Sequence, residues 1–418
     1  MGYFVPILKN NKHLVYPLQF NGYKYNFIWP LTENSPWWQR CLKGILILIS
    51  LCFYVLTIAG EYTFVLENGN NIPDLADCLS TTFMGTQYIF RISVWVKRQN
   101  EMRALYRRFY KQIYFIDTED ADFNKEIKNY TRFVDFFTKL YYVPMMLLYM
   151  MFGYEFYTQG MASRDKPHIY RMSIHWYDAQ APMPYIFTAV YSGWLCWSCV
   201  GVWAADDFSL CVMLCHASYR YKALQKNLGN LLKEVREEAA KCLQPADQLH
   251  TIFRRKLYQV LSREQKLKSF IDEAKQHFTY AIFCCLFFGV LLQCVVLFQL
   301  QSSTFGVGWL KYIAWLISQV SELIMIGHFG QMLMDEASAM QNSYYMCQWE
   351  KLLPYGNQLM NKSLMLDIRS AIQNAETPVV FDGLRMFALS HSTVGTALRS
   401  AMSYFMFLNT MNDAEKPK

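Results

Sequence analysis

Long apolar runs without charged residues are the feature that most constrains this chain. A helix that crosses a bilayer needs about 20 mostly apolar residues, because hydrocarbon offers no partners for backbone polar groups. Residues 179–205, 278–310 and 44–60 contain no Asp, Glu, Lys or Arg. Residues 312–334 contain one such residue, Glu322. These runs predict helices that span a membrane.

Three further stretches are long enough to span a bilayer, but they contain or adjoin charged residues. Charged residues make up 17% of the chain, below the ~25% of soluble proteins, and no long polar stretch offers a separate domain. The sequence therefore predicts an all-α membrane protein with seven transmembrane helices. The three weaker stretches are residues 78–96, 136–157 and 386–410, and their charges are Arg91, Lys139, Glu155 and Arg399.

Lysine and arginine are distributed unevenly between alternate loops. One set of loops contains 30 of these residues and the other contains 6. Cytoplasmic loops carry the excess, so we expect a cytoplasmic amino terminus and an extracellular carboxy terminus, opposite to G-protein-coupled receptors. The net charge of +7 then reflects topology, and we expect no nucleic-acid partner. The rich set comprises residues 1–40, 97–132, 206–277 and 331–390, and the poor set comprises residues 61–77, 158–183, 301–311 and 410–418.

This orientation divides the chain into segments. We expect membrane lipid to surround the spans and spans four to seven to extend into a cytoplasmic anchor region. The predicted segments are a cytoplasmic amino-terminal segment at 1–40, six spans at 41–330 with cytoplasmic helical extensions at 206–277, an anchor helix and loop at 331–385, a seventh helix at 386–410 and a short extracellular tail at 411–418.

Apolar residues in the largest cytoplasmic loop recur at steps of three and four. Tyr221, Leu224 and Leu228 belong to one such stripe, and a second stripe leads into the run at 278. This spacing is typical of a helix that packs along one face. The stripes fit an intramolecular hairpin and a subunit interface equally well.

No catalytic motif is present in the sequence. It contains no Gly-rich phosphate loop, no His-Glu-x-x-His and no Gly-x-Ser-x-Gly, so we expect neither an enzyme nor a cofactor. Cys196 and Cys199 have metal-like spacing but lie inside an apolar run without a second pair, which favours packing. We expect Asp206 and Asp207 to form a membrane boundary or a salt bridge, and we expect no bound metal.

Charges inside the predicted spans are costly unless they are paired or hydrated, and they are therefore functional candidates. Arg91 lies near the inner end of its stretch, so we expect it to extend toward the interface. Arg399 lies in the middle of the last stretch. We therefore expect that helix to face water or protein.

The carboxy-terminal third resembles the insect odorant receptor family. That family's pattern has a Pro, a Gly five residues later, a Ser, and Ser-Tyr-Phe near the end. Here these are Pro378, Gly383, Ser390 and 403–405, although Met402 stands where the family often has Tyr. The preceding helix carries Glu336, Ser338, Tyr344, Tyr345 and Trp349.

The resemblance implies an odorant-gated, poorly selective cation channel in the plasma membrane of sensory dendrites. Tuned subunits of the family bind small volatile ligands and form tetramers with a longer co-receptor, and the length of 418 residues resembles a tuned subunit. The related gustatory receptors end in a Thr-Tyr and Gln-Phe signature that is absent here. A gustatory-type homomer is the alternative, and a metabotropic seven-span receptor is a more distant one.

The resemblance also implies roles for individual residues. The family's last span lines a central pore, which assigns a gate to Phe407, Thr410 and Met411. Its subunit contacts lie at the cytoplasmic ends of spans four to seven, which favours the interface interpretation of the stripes. The implied interface residues are Tyr221, Leu224, Leu228, Tyr345 and Trp349.

Family odorants bind between the outer halves of spans two, three, four and six. In this sequence those halves hold an aromatic, uncharged set with few hydroxyls, suited to a small volatile ligand held by apolar contact. Core packing explains any single member equally well. The set is Thr82, Phe83, Met145, Leu148, Tyr149, Phe152, Phe187, Tyr191, Trp194, Tyr312 and Trp315.

Overall fold

Helices form nearly all of the regular secondary structure in the described part of the chain. A computed structural model describes residues 1–8, 20–69, 72–115, 121–162, 168–241, 245–303 and 306–415. The helices are α1 (Phe20–Tyr25), α2 (Trp37–Glu67), α3 (Ile72–Lys97), α4 (Gln99–Arg108), α5 (Ala121–Ala162), α6 (Pro182–Ala239), α7 (Pro245–Ser302), α8 (Val307–Tyr345), α9 (Gln358–Glu376) and α10 (His391–Glu415).

Each predicted span corresponds to one long helix. The spans lie in α2, α3, α5, α6, α7, α8 and α10, and α2, α6, α7 and α8 are long and apolar enough to cross a membrane. Two boundaries differ from the prediction. The run 278–310 is divided, because α7 ends at Ser302 and α8 begins at Val307. The last helix begins at His391 and not at residue 386.

Two helices are much longer than a bilayer is thick. α6 and α7 each contain 58 residues, which corresponds to about 87 Å at 1.5 Å per residue, against about 30 Å of hydrocarbon. Both helices therefore continue well beyond the membrane, as the apolar stripes predicted. α8 contains 39 residues, and a 3₁₀ turn at Trp349–Tyr355 leads from it toward α9.

The amino-terminal segment packs against the helical core. Tyr23 and Trp29 are fully buried, and α1 lies against α6. A Cβ atom at Gly22 would stand 1.8 Å from the carbonyl oxygen of Gly201, so only glycine permits this approach. The described part of the amino-terminal segment is therefore built into the fold.

A short hairpin holds the start of α10 against α7. Strand β1 (Asp382–Gly383) pairs antiparallel with β2 (Phe387–Ala388). A Cβ atom at Gly383 would stand 2.7 Å from the backbone nitrogen of Phe283, so the turn needs glycine there. Lys275 of α7 pairs with Asp382. The orientation of α10 is thus fixed by contacts that precede it in the chain.

Candidate ligand cavity and pore helix

An enclosed cavity lies between four helices. Its volume is about 30 Å³, room for about two water molecules. The walls are mostly apolar or aromatic and come from α2, α3, α6 and α8 together with the loop before α6. The lining residues are Tyr54, Thr57, Ile58, Glu61, Thr81, Met84, Gly85, Tyr170, Leu195, Cys196, Cys199 and Trp315.

Glu61 is the acidic residue in the wall of this cavity. It is 1% exposed, and the Thr82 hydroxyl donates a hydrogen bond of 3.0 Å to its Oε2. Among the described residues, no Lys, Arg or His forms an ion pair with it. The sequence predicted an uncharged pocket and missed Glu61, because this residue lies just beyond the charge-free run 44–60.

Aromatic and sulfur groups form much of the remaining wall. The Tyr54 hydroxyl donates to the carbonyl oxygen of Leu195 at 2.8 Å and lies 2.7 Å from Cys199 Sγ. The Tyr170 hydroxyl donates to the carbonyl oxygen of Ser192. Trp315 is 1% exposed, and its indole nitrogen has no hydrogen-bond partner. The residues of the wall thus include one with a buried carboxylate and one with an unsatisfied N–H donor.

The predicted ligand-binding residues do not form one cluster. Trp315 lies in the cavity wall, and Thr82 contacts Glu61. Tyr191 is buried and stacks on Phe53 at 5.4 Å between ring centroids. Phe187 lies against Tyr191 at 5.3 Å but is itself exposed.

Four other predicted ligand-binding residues lie outside the cavity wall. Trp194 lines an open groove of about 720 Å³ between α5 and α6. Phe83 lies beside Phe288 of α7, Met145 is packed in the main core, and the Tyr312 hydroxyl donates to Asp77. The side chains of Leu148, Tyr149, Phe152 and Met411 lie outside the described part of the structure.

One face of α10 carries an exposed stripe of polar residues, with Phe407 near its end. Val394, Ala397 and Ala401 are buried on the opposite face. The exposed residues recur at steps of three and four, which places them in one line along the helix. The stripe consists of Ser392, Thr396, Arg399, Ser403, Phe407 and Thr410.

The two described gate candidates lie at one end of this stripe. Phe407 is 61% exposed, and the Thr410 hydroxyl donates to the carbonyl oxygen of Met406. Within this single chain, Phe407 therefore presents a large apolar ring to the surroundings of α10. Arg399 is also exposed and donates to the Thr396 hydroxyl at 3.4 Å.

Arg91 is buried among three carboxylates and does not extend toward the interface. It is 2% exposed, and its Nη1 lies 2.9 Å from Asp207 Oδ2 and 3.6 Å from Asp206 Oδ2. Its Nη2 lies 3.8 Å from Glu322 Oε1. The expected snorkelling is therefore wrong. The acidic pair has the salt-bridge role that the sequence suggested.

The other partners of this network are neutral donors. Tyr23 Oη and Trp95 Nε1 donate to Asp206 at 2.8 and 2.7 Å, and Cys285 Sγ donates to Glu322 at 3.3 Å. Three carboxylates face one guanidinium, so the arrangement can hold a proton or a cation besides Arg91. Asp207, Cys285 and Glu322 place potential ligand atoms within 4.8 Å of one another.

The apolar stripe of α6 is buried within one chain. Tyr221, Leu224 and Leu228 are 0–5% exposed and pack in the main core. They present no surface to a second subunit, and the intramolecular alternative describes their packing. Tyr345, by contrast, is 66% exposed, and Trp349 is half-buried.

A profile of the seven-transmembrane odorant receptors matches residues 67–402. The chain belongs to the insect odorant receptor family. It is 24% identical over 421 residues to Odorant receptor 13a of Drosophila melanogaster, covering 96% of each chain. It is 21% identical over 386 residues to Odorant receptor 74a of the same species, covering 92% of each chain.

The fold also resembles a solved structure of an insect odorant receptor. The chain aligns, at a TM-score of 0.74, with the structure of the olfactory receptor OR5 from Machilis hrabei in complex with eugenol. The alignment covers 94% of this chain and 96% of that chain, at 10% sequence identity. A second structure of the same receptor aligns with a TM-score of 0.72, covering 93% of this chain and 96% of that chain.

The family defines the class of protein. Insect odorant receptors are multi-pass membrane proteins and ligand-gated cation channels, not enzymes. They act with a co-receptor and bind small odorants. The resemblance of the carboxy-terminal third therefore pointed to the correct family.

Proposed function

We propose that this chain is the odorant-binding, tuning subunit of an odorant-gated, non-selective cation channel that assembles as a tetramer with the co-receptor. The observation that carries the proposal is the exposed stripe of α10. A charged side chain at the bilayer centre costs about 2.5–3.5 kcal/mol or more when it faces lipid. Arg399 and the hydroxyls of Thr396 and Ser403 therefore favour a face that meets water. A central pore supplies that water.

The gate in this proposal lies at the outer end of the stripe. A ring of Phe407 side chains from neighbouring subunits, with Thr410 and Met411 beside it, forms an apolar constriction. Such a constriction blocks ions by excluding water, and it conducts when it widens. The 61% exposure of Phe407 in the single chain supports this assignment, because the side chain is not used for packing within the subunit.

The enclosed cavity is the odorant site in this proposal. A volatile ligand is larger than the present volume of about 30 Å³, so binding requires the four helices to separate. The residues predicted to bind the ligand have different roles in this site. Trp315 lies in the cavity wall, and Thr82 holds Glu61 in place through a hydrogen bond. A ligand that binds the expanded state more tightly shifts the channel toward opening.

The anchor region supplies the subunit contacts in this proposal. Tyr345, Met346, Tyr355 and Leu359 are 52–79% exposed. These four lie between residues 345 and 359 of the chain, and exposed apolar groups of this kind are typical of a surface that binds another protein. Trp349 lies between them in the chain, at the start of the 3₁₀ turn.

The positive charge of the loops supports a cytoplasmic amino terminus, an extracellular carboxy terminus and a cytoplasmic anchor region. The segment boundaries follow the sequence division, except that the pore helix starts at His391. We place the channel in the plasma membrane of sensory dendrites.

The experiment is whole-cell recording from cells that express this chain alone, the co-receptor alone, or both, while a panel of volatiles is applied. We expect ligand-evoked current that requires both chains. Current from this chain alone would contradict the tuning role and indicate a gustatory-type homomer. No ligand-evoked current from the pair, with both chains labelled at the surface, would contradict the channel role.

A further inference from the structure

We propose that the enclosed cavity selects ligands that carry a hydroxyl group, held between the carboxylate of Glu61 and the indole N–H of Trp315. This inference rests on the proposed odorant-binding function. It adds a chemical class of ligand, small alcohols and phenols, that an aromatic and uncharged pocket would not distinguish.

The first observation is the buried carboxylate. Glu61 is 1% exposed and lines the cavity, and it forms no ion pair with a described residue. A carboxylate accepts up to about four hydrogen bonds, and bonds from the side chains of Thr82 and Thr81 use two of these positions. The remaining capacity favours a ligand group that donates a hydrogen bond.

The second observation is the unsatisfied donor. Trp315 lines the same cavity, is 1% exposed, and has no partner for its Nε1. Leaving a buried donor unsatisfied is unfavourable. A ligand oxygen that accepts from Nε1 removes this cost.

A hydroxyl group satisfies both sites, because it is a donor and an acceptor at once. An ammonium group pairs with Glu61 but leaves the Trp315 N–H unsatisfied. A carbonyl group accepts from Trp315 but offers nothing to Glu61. Both residues line the same cavity of about 30 Å³, which is the ground for assigning them one shared polar group of the ligand.

The rest of the cavity suits the carbon body of such a ligand. Tyr54, Met84 and Leu195 give it an apolar and aromatic surface. Met84 is flexible and adapts to ligand shape, so we expect weak selection of chain length and strong selection of the polar group. Aliphatic alcohols and phenols share the same recognition.

The test compares matched ligands on matched variants, recorded with the co-receptor. The ligands are hexanol, heptane, hexanal and hexylamine, with para-cresol against para-xylene for the aromatic arm. The variants are Glu61→Gln, which keeps size and shape, and Trp315→Phe, which removes the N–H together with one of the two indole rings. Ile58→Val is the control, because it changes the cavity wall without changing its polarity. Surface labelling measures the amount of each channel.

We expect the half-maximal concentration of hexanol to be at least about tenfold lower than that of heptane, since one charge-assisted hydrogen bond is worth about that factor. Glu61→Gln and Trp315→Phe each raise the hexanol value by a larger factor than they raise the heptane value. Ile58→Val shifts all ligands alike. A retained heptane response shows that a variant has folded.

Equal potency of hexanol and heptane on the wild type would overturn the proposal, as would variants that shift every ligand equally. Higher potency of hexylamine would identify Glu61 as a counter-ion for amines and overturn the hydroxyl assignment. The same selectivity for cresol over xylene extends the class to phenols, and its absence limits the class to aliphatic alcohols. Silence toward every ligand, with both chains at the surface, would refute the proposed function itself.

Discussion

Replacing Arg91 with Met is expected to destabilise the receptor strongly. The substitution removes the guanidinium from between Asp206, Asp207 and Glu322, which are all 2% exposed. Each pair contributes about 4–6 kcal/mol of Coulomb attraction at an effective dielectric constant of about 20. Desolvation offsets much of this attraction, and breaking a buried pair by removing one partner costs about 3–5 kcal/mol net.

The assay is the thermal midpoint of the detergent-solubilised receptor, together with its fraction at the cell surface. We expect Arg91→Met to lower both clearly. The combined variant of Arg91→Met with Asp207→Asn is expected to recover part of the loss, because it removes one uncompensated charge. A matched control is Arg107→Met, since Arg107 pairs with Glu33 at the exposed surface, where ion pairs contribute about 0–1 kcal/mol. Equal effects of the Arg91 and Arg107 substitutions would refute the reasoning.

Three further predictions concern other regions. Phe407→Ala widens the proposed constriction and is expected to raise ligand-free current, and an unchanged closed state would remove Phe407 from the gate. Burial and nearby Arg220 lower the pKa of His216 to about 3, below its unfolded value of about 6.5. The neutral form is therefore favoured in the fold, and stability is lost as pH falls below 6.5, by about 1 kcal/mol near pH 5.5. His216→Asn keeps an acceptor for the Phe115 N–H and is expected to lose this dependence, as measured by thermal midpoints at pH 7.5 and 5.5, where an identical slope would contradict the assignment. Tyr345→Asp is expected to reduce co-purification of the co-receptor while the chain stays folded, whereas Leu228→Asp is expected to unfold the chain, and the reverse pattern would contradict the interface.

The transmembrane helices could be predicted because a charge-free run of sufficient length has few alternatives to a spanning helix. The break between α7 and α8 was missed. Residues 303–306 between the two helices are Ser, Thr, Phe and Gly, none of which carries a charge. A criterion based on charge therefore does not detect the break.

The environment of Arg91 could not be predicted, because its partners are distant in sequence. Asp206 and Asp207 lie on α6, and Glu322 lies on α8. Only the packing of α3 against these helices brings them together. On an isolated helix, the Arg91 side chain could face only lipid or the membrane interface. The sequence therefore predicted that it extends to the interface.

Glu61 was missed for a related reason. A charged residue at the end of a span is ordinary, and its burial depends on the contact of α2 with α3. The apolar stripe of α6 also shows that the sequence does not identify packing partners. Its spacing predicted a packed helix face correctly, but spacing alone does not identify whether the packing partner is within the chain or in another subunit.

The most direct test of the account is cysteine accessibility along α10 in the assembled channel. Ser403 and Met402 are both exposed in the single chain, but Ser403 lies on the polar stripe and Met402 lies about a quarter turn away from it. We expect a charged, water-soluble thiol reagent to block the odorant-evoked current of Ser403→Cys rapidly and to leave Met402→Cys and the wild type unchanged. Rapid block of Met402→Cys with none of Ser403→Cys would contradict the claim that this stripe lines the pore.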